Sequence, residues 1–316
     1  MRELVTVQQQ AAAIRPASLE SLLSSFLAEH DVKASSRATY QRSLRQFILW
    51  LQETGRSKRM ATLSREDILA YKESLSSAGK SSYTLSTYLA AVRQLYQWLE
   101  SKKLYPDITR GIKAGKKPRG FRKDILSEEQ IKKMLEPLDR STLEGQRDYA
   151  LISLLARTGL RTVEVSRAEV GDLRQEPGLQ RGERVLWIQG KGRDEKDDFV
   201  LLTRGSLQPL RAYLEARSAS SSDPLFCSHS DRNSGQALTT RSLSRVVKQA
   251  MRRVGMDDSR LTAHSMRHTA ISLAVLGGAS LQQVQAMARH SDPKTTLVYF
   301  HNLDRVKAGA ERYITI

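Results

Sequence analysis

The sequence predicts a mainly α-helical protein that contains one small β-sheet and is divided into two domains. Apolar residues recur at three- and four-residue steps through residues 18–104, which is the pattern of amphipathic helices. Farther along the chain, three short segments have the composition of strands, at residues 170–173, 185–189 and 198–202. The 316 residues exceed the size at which single hydrophobic cores usually stop growing, so two cores are expected.

Four helices are predicted in the N-terminal domain, to which we assign residues 16–105. The second helix follows Ser35 or Ser36 as its N-cap, and Ser64 with Asp67 three residues later resembles a capping box that starts the third. The apolar stripes of the second to fourth helices comprise Tyr40, Leu44, Phe47, Ile48, Leu51, Ile68, Tyr71, Leu75, Leu85, Leu89, Val92, Tyr96 and Leu99. Four such faces can close a small helical domain.

A basic linker is predicted at residues 106–125. Between residues 110 and 123 the chain has seven basic side chains, three glycines, one proline and no acidic side chain, which is the composition of a linker. Such a run is either a solvated hinge or a tether on a phosphate backbone, and the charge of the whole chain favours the tether. Its candidate DNA-binding residues are Lys113, Lys116, Lys117 and Arg119.

A second domain is predicted at residues 126–316. Ser127 is placed to cap a helix, residues 148–158 have the composition of a buried helix, and Gly159 is placed to end it. The remaining helices are predicted at residues 207–217, 240–254, 265–276 and 280–289, followed by a short helix that opens at residues 292–293.

The charge of the chain points to a polyanionic partner. Lys and Arg number 51 against 34 Asp and Glu, a formal charge of +17, and residues 1–125 carry 22 basic and 11 acidic side chains. Nucleic acid is the leading candidate, with a solubilising surface or an anionic membrane surface as alternatives. No apolar run can span a bilayer, and the single Cys227 cannot form an internal disulfide. We therefore expect a cytoplasmic, nucleic-acid-containing compartment and no membrane partner.

Four short motifs carry candidate chemistry: TGLRTVE at residues 158–164, GKG at 190–192, HSMR at 264–267 and HSDPKTTLVY at 290–299. Each is weak when taken alone, because a Gly-Lys-Gly turn is usually just a hairpin. His264 and His268 have a spacing that can hold zinc, but Ser265 stands where a zinc protease has its glutamate, so no metal site is expected.

In this order, the four motifs resemble those of the tyrosine recombinase family, which includes phage integrases and the recombinases that resolve chromosome dimers. The resemblance covers nearly the whole chain. It implies an N-terminal SAM-like core-binding domain joined by the linker to a tyrosine-recombinase catalytic domain, with the two forming a C-shaped clamp around duplex DNA. It also implies DNA cleavage and rejoining through a 3′-phosphotyrosyl link, for integration, excision or resolution, with no cofactor.

The resemblance assigns a role to each motif residue, and the chemistry explains the residue types. An in-line attack on a phosphodiester accumulates negative charge on the non-bridging oxygens, which planar guanidinium groups suit. A tyrosine nucleophile also needs help to lose its proton at neutral pH. The implied set is Arg161 and Arg267 as phosphate clamp, Tyr299 as nucleophile, His264 as acceptor or relay of its proton, Lys191 as donor to the leaving 5′ oxygen, His290 on the phosphate, and Glu164 orienting the clamp.

Two departures from the family pattern leave alternatives open. The family usually has Leu-Gly before its second histidine, where this chain has Ala288 and Arg289, so Arg289 either adds a phosphate contact or faces solvent. The hairpin turn at residues 190–198 is also longer and more acidic than usual, which makes Lys196 a rival of Lys191 as general acid.

The partners implied are double-stranded recombination sites and further copies of the chain. A tail helix with Leu303, Val306, Ala310 and Tyr313 on one stripe is expected to dock on a neighbour in a tetramer, with the need for an accessory recombinase left open. A type IB topoisomerase shares the same chemistry without synapsis and is the main alternative. A protein that only occupies DNA sites is the second, but it leaves the set of reactive residues unexplained.

Overall fold

The computed structural model describes residues 17–57, 62–114, 125–190, 192–307 and 314. The chain divides into two compact units, Met1–Arg119 and Gly120–Ile316. Each unit has its own hydrophobic core in the described ranges. This agrees with the mainly helical fold class with a small sheet that the sequence predicts.

The first unit contains the four predicted helices. They are α1 (Ala17–Glu29), α2 (Ala34–Glu53), α3 (Arg65–Ser77) and α4 (Ser82–Ser101). Their inward faces meet in one core whose members include Phe26, Leu44, Leu51, Ile68, Tyr71 and Val92. The four helices therefore form a closed bundle, because the apolar stripe of each helix is buried only by packing against the others.

The predicted start of α2 at Ser35 or Ser36 is wrong. The N-cap is Lys33, whose carbonyl accepts the backbone N–H groups of Ser36 and Arg37 at 2.9 and 3.0 Å, so the serines already lie in the first turn. The predicted capping box at the start of α3 is confirmed, since the backbone N–H of Ser64 donates to Asp67 Oδ2 at 2.9 Å.

The second unit is built around a buried central helix. Its helices are α5 (Glu128–Leu135), α6 (Leu143–Thr158), α7 (Thr162–Ser166), α8 (Arg204–Ala216), α9 (Thr240–Arg253), α10 (Ala263–Leu276), α11 (Leu281–Ala288) and α12 (Pro293–Lys307). Helix α6 packs against α8 and α10, and begins five residues before the predicted buried helix. Ser127 caps α5 through a capping box, and Gly159 ends α6 in a left-handed conformation, both as predicted.

A three-stranded antiparallel sheet, in the order β1-β2-β3, lies beside this helical core. Its strands are β1 (Leu173–Arg174), β2 (Arg184–Ile188) and β3 (Asp198–Leu202). The first strand is shorter than predicted because residues 170–172 form a 3₁₀ turn. In β3 the side chains of Val200 and Leu202 are buried while that of Leu201 between them is exposed, so one face of the sheet covers the core.

A small apolar cluster fixes the end of the second unit. It joins α10, α11 and α12 through Ile271, Val284, Ala288 and Tyr299, all buried. Because α10 also carries His264 and His268, this packing places both histidines on the helix that adjoins Tyr299.

Candidate active site

The turn after α6 places Arg161. Gly159 adopts φ +60°, a left-handed conformation that glycine takes without the steric cost of a side chain, and it reverses the chain at the helix end. Arg161 then becomes the N-cap of α7, with its backbone extended and its side chain 27% exposed. Arg161 can therefore be held by the protein on one side and reach a ligand on the other.

Glu164 anchors this arginine. Its Oε1 accepts from Arg161 Nη1 at 2.7 Å, and its Oε2 accepts from the backbone N–H of Arg161 at 2.7 Å. The carboxylate is fully buried, and burial acts to raise the pKa of Glu164, but attraction to Arg289 and the hydrogen bonds of Arg161 outweigh burial and lower the pKa. Glu164 is therefore an ionised carboxylate that holds both the side chain and the backbone of Arg161.

Arg289 does not face solvent, which is one of the two positions left open for it by the sequence. Its side chain is 6% exposed, donates to Glu164 Oε2 at 2.9 Å and to the carbonyl of Met287 at 2.6 Å. Its backbone caps α11 at φ +53°, a conformation that costs a non-glycine residue on the order of 1 kcal/mol. Arg289 is therefore a buried ion-pair partner at a position where the family pattern has glycine.

Arg267 is held by the ends of two helices. It is 2% exposed and donates to the carbonyls of Gly159, at 2.6 Å, and Ala288. Burial and the neighbouring charges of Arg161 and Arg289 lower the pKa of Arg267 to about 10, so it remains protonated at neutral pH. The two backbone carbonyls thus hold the guanidinium group of Arg267 close to the charged side chains of Arg161, Arg289 and Glu164.

Tyr299 is hydrogen bonded to His268. The phenol oxygen pairs with His268 Nδ1, and the two rings stack with their centroids 5.7 Å apart. Burial raises the pKa of Tyr299 to about 12, although the charges of Arg267 and Arg161 oppose the rise. The predicted nucleophile is therefore a buried phenol whose proton has a histidine acceptor within hydrogen-bond reach.

The two other histidines flank this pair. His264 is exposed on α10 one turn before His268, and the two rings meet edge to face at 4.5 Å. His290 Nδ1 pairs with Thr296 Oγ1 at 2.9 Å, and its ring lies 6.3 Å from that of Tyr299. Burial, then the charges of Arg267, Arg161 and Arg289, lower the pKa of His290 to about 4, so it is neutral at pH 7.

Lys196, the rival general acid, is engaged elsewhere. Its ammonium group lies 2.8 Å from Asp172 Oδ2 and 3.0 Å from Glu169 Oε2. Burial acts to lower the pKa of Lys196, but the hydrogen bonds and attraction of the two carboxylates raise it. Lys191 lies outside the described residues.

The remaining predicted residues are only partly within the described ranges. Lys113 is exposed, whereas Lys116, Lys117 and Arg119 lie outside the described residues. Helix α12 continues from Tyr299 through Lys307, so it is longer than the short helix predicted. Of the predicted tail stripe, the side chains of Leu303 and Val306, and the whole of Ala310 and Tyr313, also lie outside the described residues.

Two features bear on the other predicted partners. Within the residues that the structure describes, no group of three or more His, Cys, Asp or Glu side chains is arranged to hold a metal ion. In the same ranges, no helix is long and apolar enough to cross a membrane.

Two residues of this cluster were not assigned to it from the sequence. The sequence indicates His268 only as a possible zinc partner of His264, and its signal is its place one helical turn after His264 and next to Arg267. Arg289 carried a signal as a charged residue where the family pattern has glycine. The structure joins both to the predicted group of Arg161, Glu164 and Arg267 with Tyr299.

Comparison with known proteins identifies the family of the chain. The model of the phage integrase family matches residues 124–305, and the model of the phage integrase N-terminal SAM-like domain matches residues 19–103. Tyrosine recombinase XerD of Rhizobium meliloti is 30% identical over 296 residues, covering 91% of both chains. XerD of Listeria monocytogenes is 28% identical over 290 residues, covering 90% of this chain and 93% of the relative.

Solved structures share the fold. The XerH recombinase bound to a palindromic difH substrate matches with a TM-score of 0.69 and 20% identity, over 97% of this chain and 88% of that chain. A lambda integrase dimer bound to a core site matches with a TM-score of 0.67 and 14% identity, over 90% of this chain and 94% of that chain. The chain therefore belongs to the phage integrase family, as a tyrosine-type site-specific DNA recombinase.

Proposed function

We propose that this recombinase cuts and rejoins double-stranded DNA through a covalent 3′-phosphotyrosyl link to Tyr299, without metal or ATP. The observation that carries the proposal is the cluster in which Arg161, Arg267 and His290 surround the buried phenol of Tyr299. The relative bound to difH is described as a post-cleavage complex, which supports the same reaction here.

The arginines stabilise the charge of the reacting phosphate. Arg267 is fixed by backbone carbonyls and Arg161 by Glu164, so both guanidinium groups are oriented before DNA binds. Donors that are already oriented spend little energy on reorganisation when charge develops on the non-bridging oxygens. Such fixed guanidinium forks supply the stabilisation that a metal ion would otherwise provide.

The histidines handle the proton of the nucleophile. As Tyr299 Oη attacks phosphorus, its proton passes to His268 Nδ1, and the exposed His264 completes the path toward solvent. His290 is neutral, and we assign it the tautomer in which the Thr296 hydroxyl donates to Nδ1. Its Nε2–H then donates to a phosphate oxygen.

Lys191 protonates the leaving 5′ oxygen as the phosphorus–oxygen bond breaks. The chain offers Lys196 as an alternative, but its two carboxylate partners hold its ammonium group and favour the protonated state. Rejoining reverses these steps, since the phosphotyrosyl link conserves the energy of the broken phosphodiester. No nucleotide cofactor is therefore needed.

We assign residues 16–105 to a core-binding domain, 106–125 to a DNA-contacting linker and 126–316 to the catalytic domain and tail. The exposed Lys113, with Lys116, Lys117 and Arg119 beside it in sequence, supports a linker that lies on a phosphate backbone. The net charge of +17 supports the binding of duplex DNA by both domains, because basic side chains neutralise its phosphates.

The active assembly is proposed to be a tetramer of DNA-bound dimers in the cytoplasm, at the nucleoid, joined by the tail beyond Tyr299. The lambda integrase structure contains a dimer on its core site, which supports assembly on DNA. Truncation after Lys307 should then reduce synapsis of two sites more than binding of one site. Equal recombination by the truncated chain would remove the tail from the interface.

Covalent selection tests the proposal. Incubating the chain with a library of nicked duplexes, and sequencing the DNA that stays attached in detergent, should recover one preferred site. Two plasmids that carry the site should then exchange strands. Relaxation of supercoils without exchange would indicate a topoisomerase, and site binding without any adduct would indicate a protein that only occupies DNA.

A further inference from the structure

Arg289 links two halves of the active site. Its guanidinium group reaches Glu164 at the start of α7, while its backbone follows α11 and directly precedes His290. The carbonyl of the preceding Ala288 accepts a hydrogen bond from Arg267. One residue is therefore connected to the supports of both clamp arginines and to the second histidine.

The carboxylate of Glu164 is divided between two guanidinium groups. Arg161 takes Oε1 at 2.7 Å and Arg289 takes Oε2 at 2.9 Å, and both partners of the Arg289 ion pair are almost fully buried. A carboxylate with two cationic partners neutralises neither of them fully. Three arginines with one carboxylate leave an excess of two positive charges, which suits a reacting phosphate.

We propose that Arg289 is a positioning residue of the phosphate clamp, which acts through Glu164 to hold Arg161 ready for the phosphate. This inference rests on the proposed function. Without Arg289, Glu164 would form an ion pair with Arg161 alone and draw the guanidinium group of Arg161 toward the protein. The phosphate would then meet a clamp with one positive charge fewer and a less fixed first arginine.

The backbone of Arg289 allows this role to be separated from a structural one. Arg289→Gly removes the ion pair, but it also relieves the left-handed conformation at φ +53°, which glycine adopts readily. Its effect on folding should therefore be smaller than that of losing a comparable buried ion pair. Arg147→Gln is the matched control, because the Arg147 side chain is also 6% exposed and pairs with Asp148 at 2.7 Å.

The first measurement is the single-turnover rate of Tyr299–DNA adduct formation at saturating protein, on the site selected as above. Arg289→Gly should lower this rate about 10- to 100-fold while changing DNA affinity less than about threefold. Arg289→Lys should recover part of the rate, and Arg147→Gln should cleave like the wild type. Wild-type rates in Arg289→Gly would overturn the proposal, whereas failure of the wild type to form any adduct would overturn the proposed function instead.

The second measurement is the acid limb of the rate against pH. The charged groups that act on Glu164 are Arg161, Arg267 and Arg289, and Asp198 acts in turn on Arg289. Because Arg289 contributes the largest attraction that lowers the pKa of Glu164, its removal should raise that pKa. Cleavage by Arg289→Gly should then fall off at a higher pH than cleavage by wild type or Arg289→Lys.

Arg289→Gly could instead lose rate while the acid limb stays where it is in the wild type, with no recovery in Arg289→Lys. That result would contradict the proposal and leave Arg289 with a structural role only. A double-mutant cycle with Glu164→Gln provides a check that does not depend on pH. If Arg289 acts through Glu164, the double variant should be no slower than the slower single variant. Additive losses would contradict the proposed route.

Discussion

The phenol oxygen of Tyr299 is hydrogen bonded to Nδ1 of His268, one helical turn beyond the His264 to which the family resemblance assigns its proton. Because the pKa of Tyr299 is raised to about 12, very little phenolate exists at neutral pH without an acceptor. The pair therefore makes His268 a candidate for activating the nucleophile.

Replacing His268 with phenylalanine keeps the stacked ring and removes the acceptor. We expect the cleavage rate at pH 7 to fall about 100-fold, and to rise about tenfold per pH unit in the alkaline range as phenolate forms. Single-turnover cleavage against pH measures both effects. His229→Phe is the matched control, since it removes a histidine that hydrogen bonds to the hydroxyl of Tyr213 at 3.0 Å. A pH profile identical to that of the wild type would exclude His268 from proton transfer.

Thr296→Val tests the tautomer of His290. The substitution keeps the shape of a fully buried side chain and removes the hydroxyl that pairs with His290 Nδ1. We expect cleavage to slow by roughly three- to tenfold, with site binding unchanged, because Nε2 loses its fixed proton. Ser206→Ala, which also removes a buried hydroxyl, should leave cleavage unchanged. Equal rates for the two variants would contradict the assigned tautomer.

The two lysines of the hairpin can be separated with a substrate whose 5′ leaving oxygen is replaced by sulfur. A thiolate leaves without needing a proton, so this substrate removes the need for a general acid. Lys191→Ala should lose cleavage of ordinary DNA and recover it on the sulfur substrate. Lys196→Ala should show no such recovery, because its partners are Asp172 and Glu169. Recovery in Lys196→Ala alone would reverse the assignment.

The linker prediction is tested by the dependence of binding on salt. Neutralising Lys113, Lys116, Lys117 and Arg119 together should weaken binding to all sequences. It should also flatten the slope of log affinity against log salt by about 0.9 for each DNA phosphate that the variant no longer neutralises. Titrations at several salt concentrations measure that slope, and an unchanged slope would remove the linker from the DNA interface.

The helices of the fold could be predicted because their apolar periods are strong and their caps are local. The capping box of Ser64 with Asp67 and the left-handed Gly159 needed only neighbouring residues to be recognised. The start of α2 was placed wrongly because Lys33 caps the helix with its backbone carbonyl alone, which leaves no mark in the side-chain pattern.

From the sequence, only those site residues that lie in recognisable motifs could be predicted. Tyr299, Arg161 and Arg267 lie in motifs with recognisable spacing, but the ion pair of Arg289 with Glu164 joins residues 125 positions apart. No local pattern encodes such a pair, and a solvent-exposed or phosphate-facing Arg289 was equally consistent with the sequence. The packing of α10, α11 and α12 determines both that pair and the choice of His268 as partner of Tyr299.

The central claim concerns one tyrosine among ten. On a nicked site, the wild type should accumulate a detergent-stable DNA adduct that peptide mapping places on Tyr299, and chelators should not change the rate of this step. Tyr299→Phe should form no adduct while binding the site nearly as well as the wild type, because the phenol oxygen supplies nucleophilicity rather than charge. Arg161→Ala and Arg267→Ala should lose cleavage because they remove charge stabilisation. An adduct formed by Tyr299→Phe, or mapped to another residue, would contradict the account.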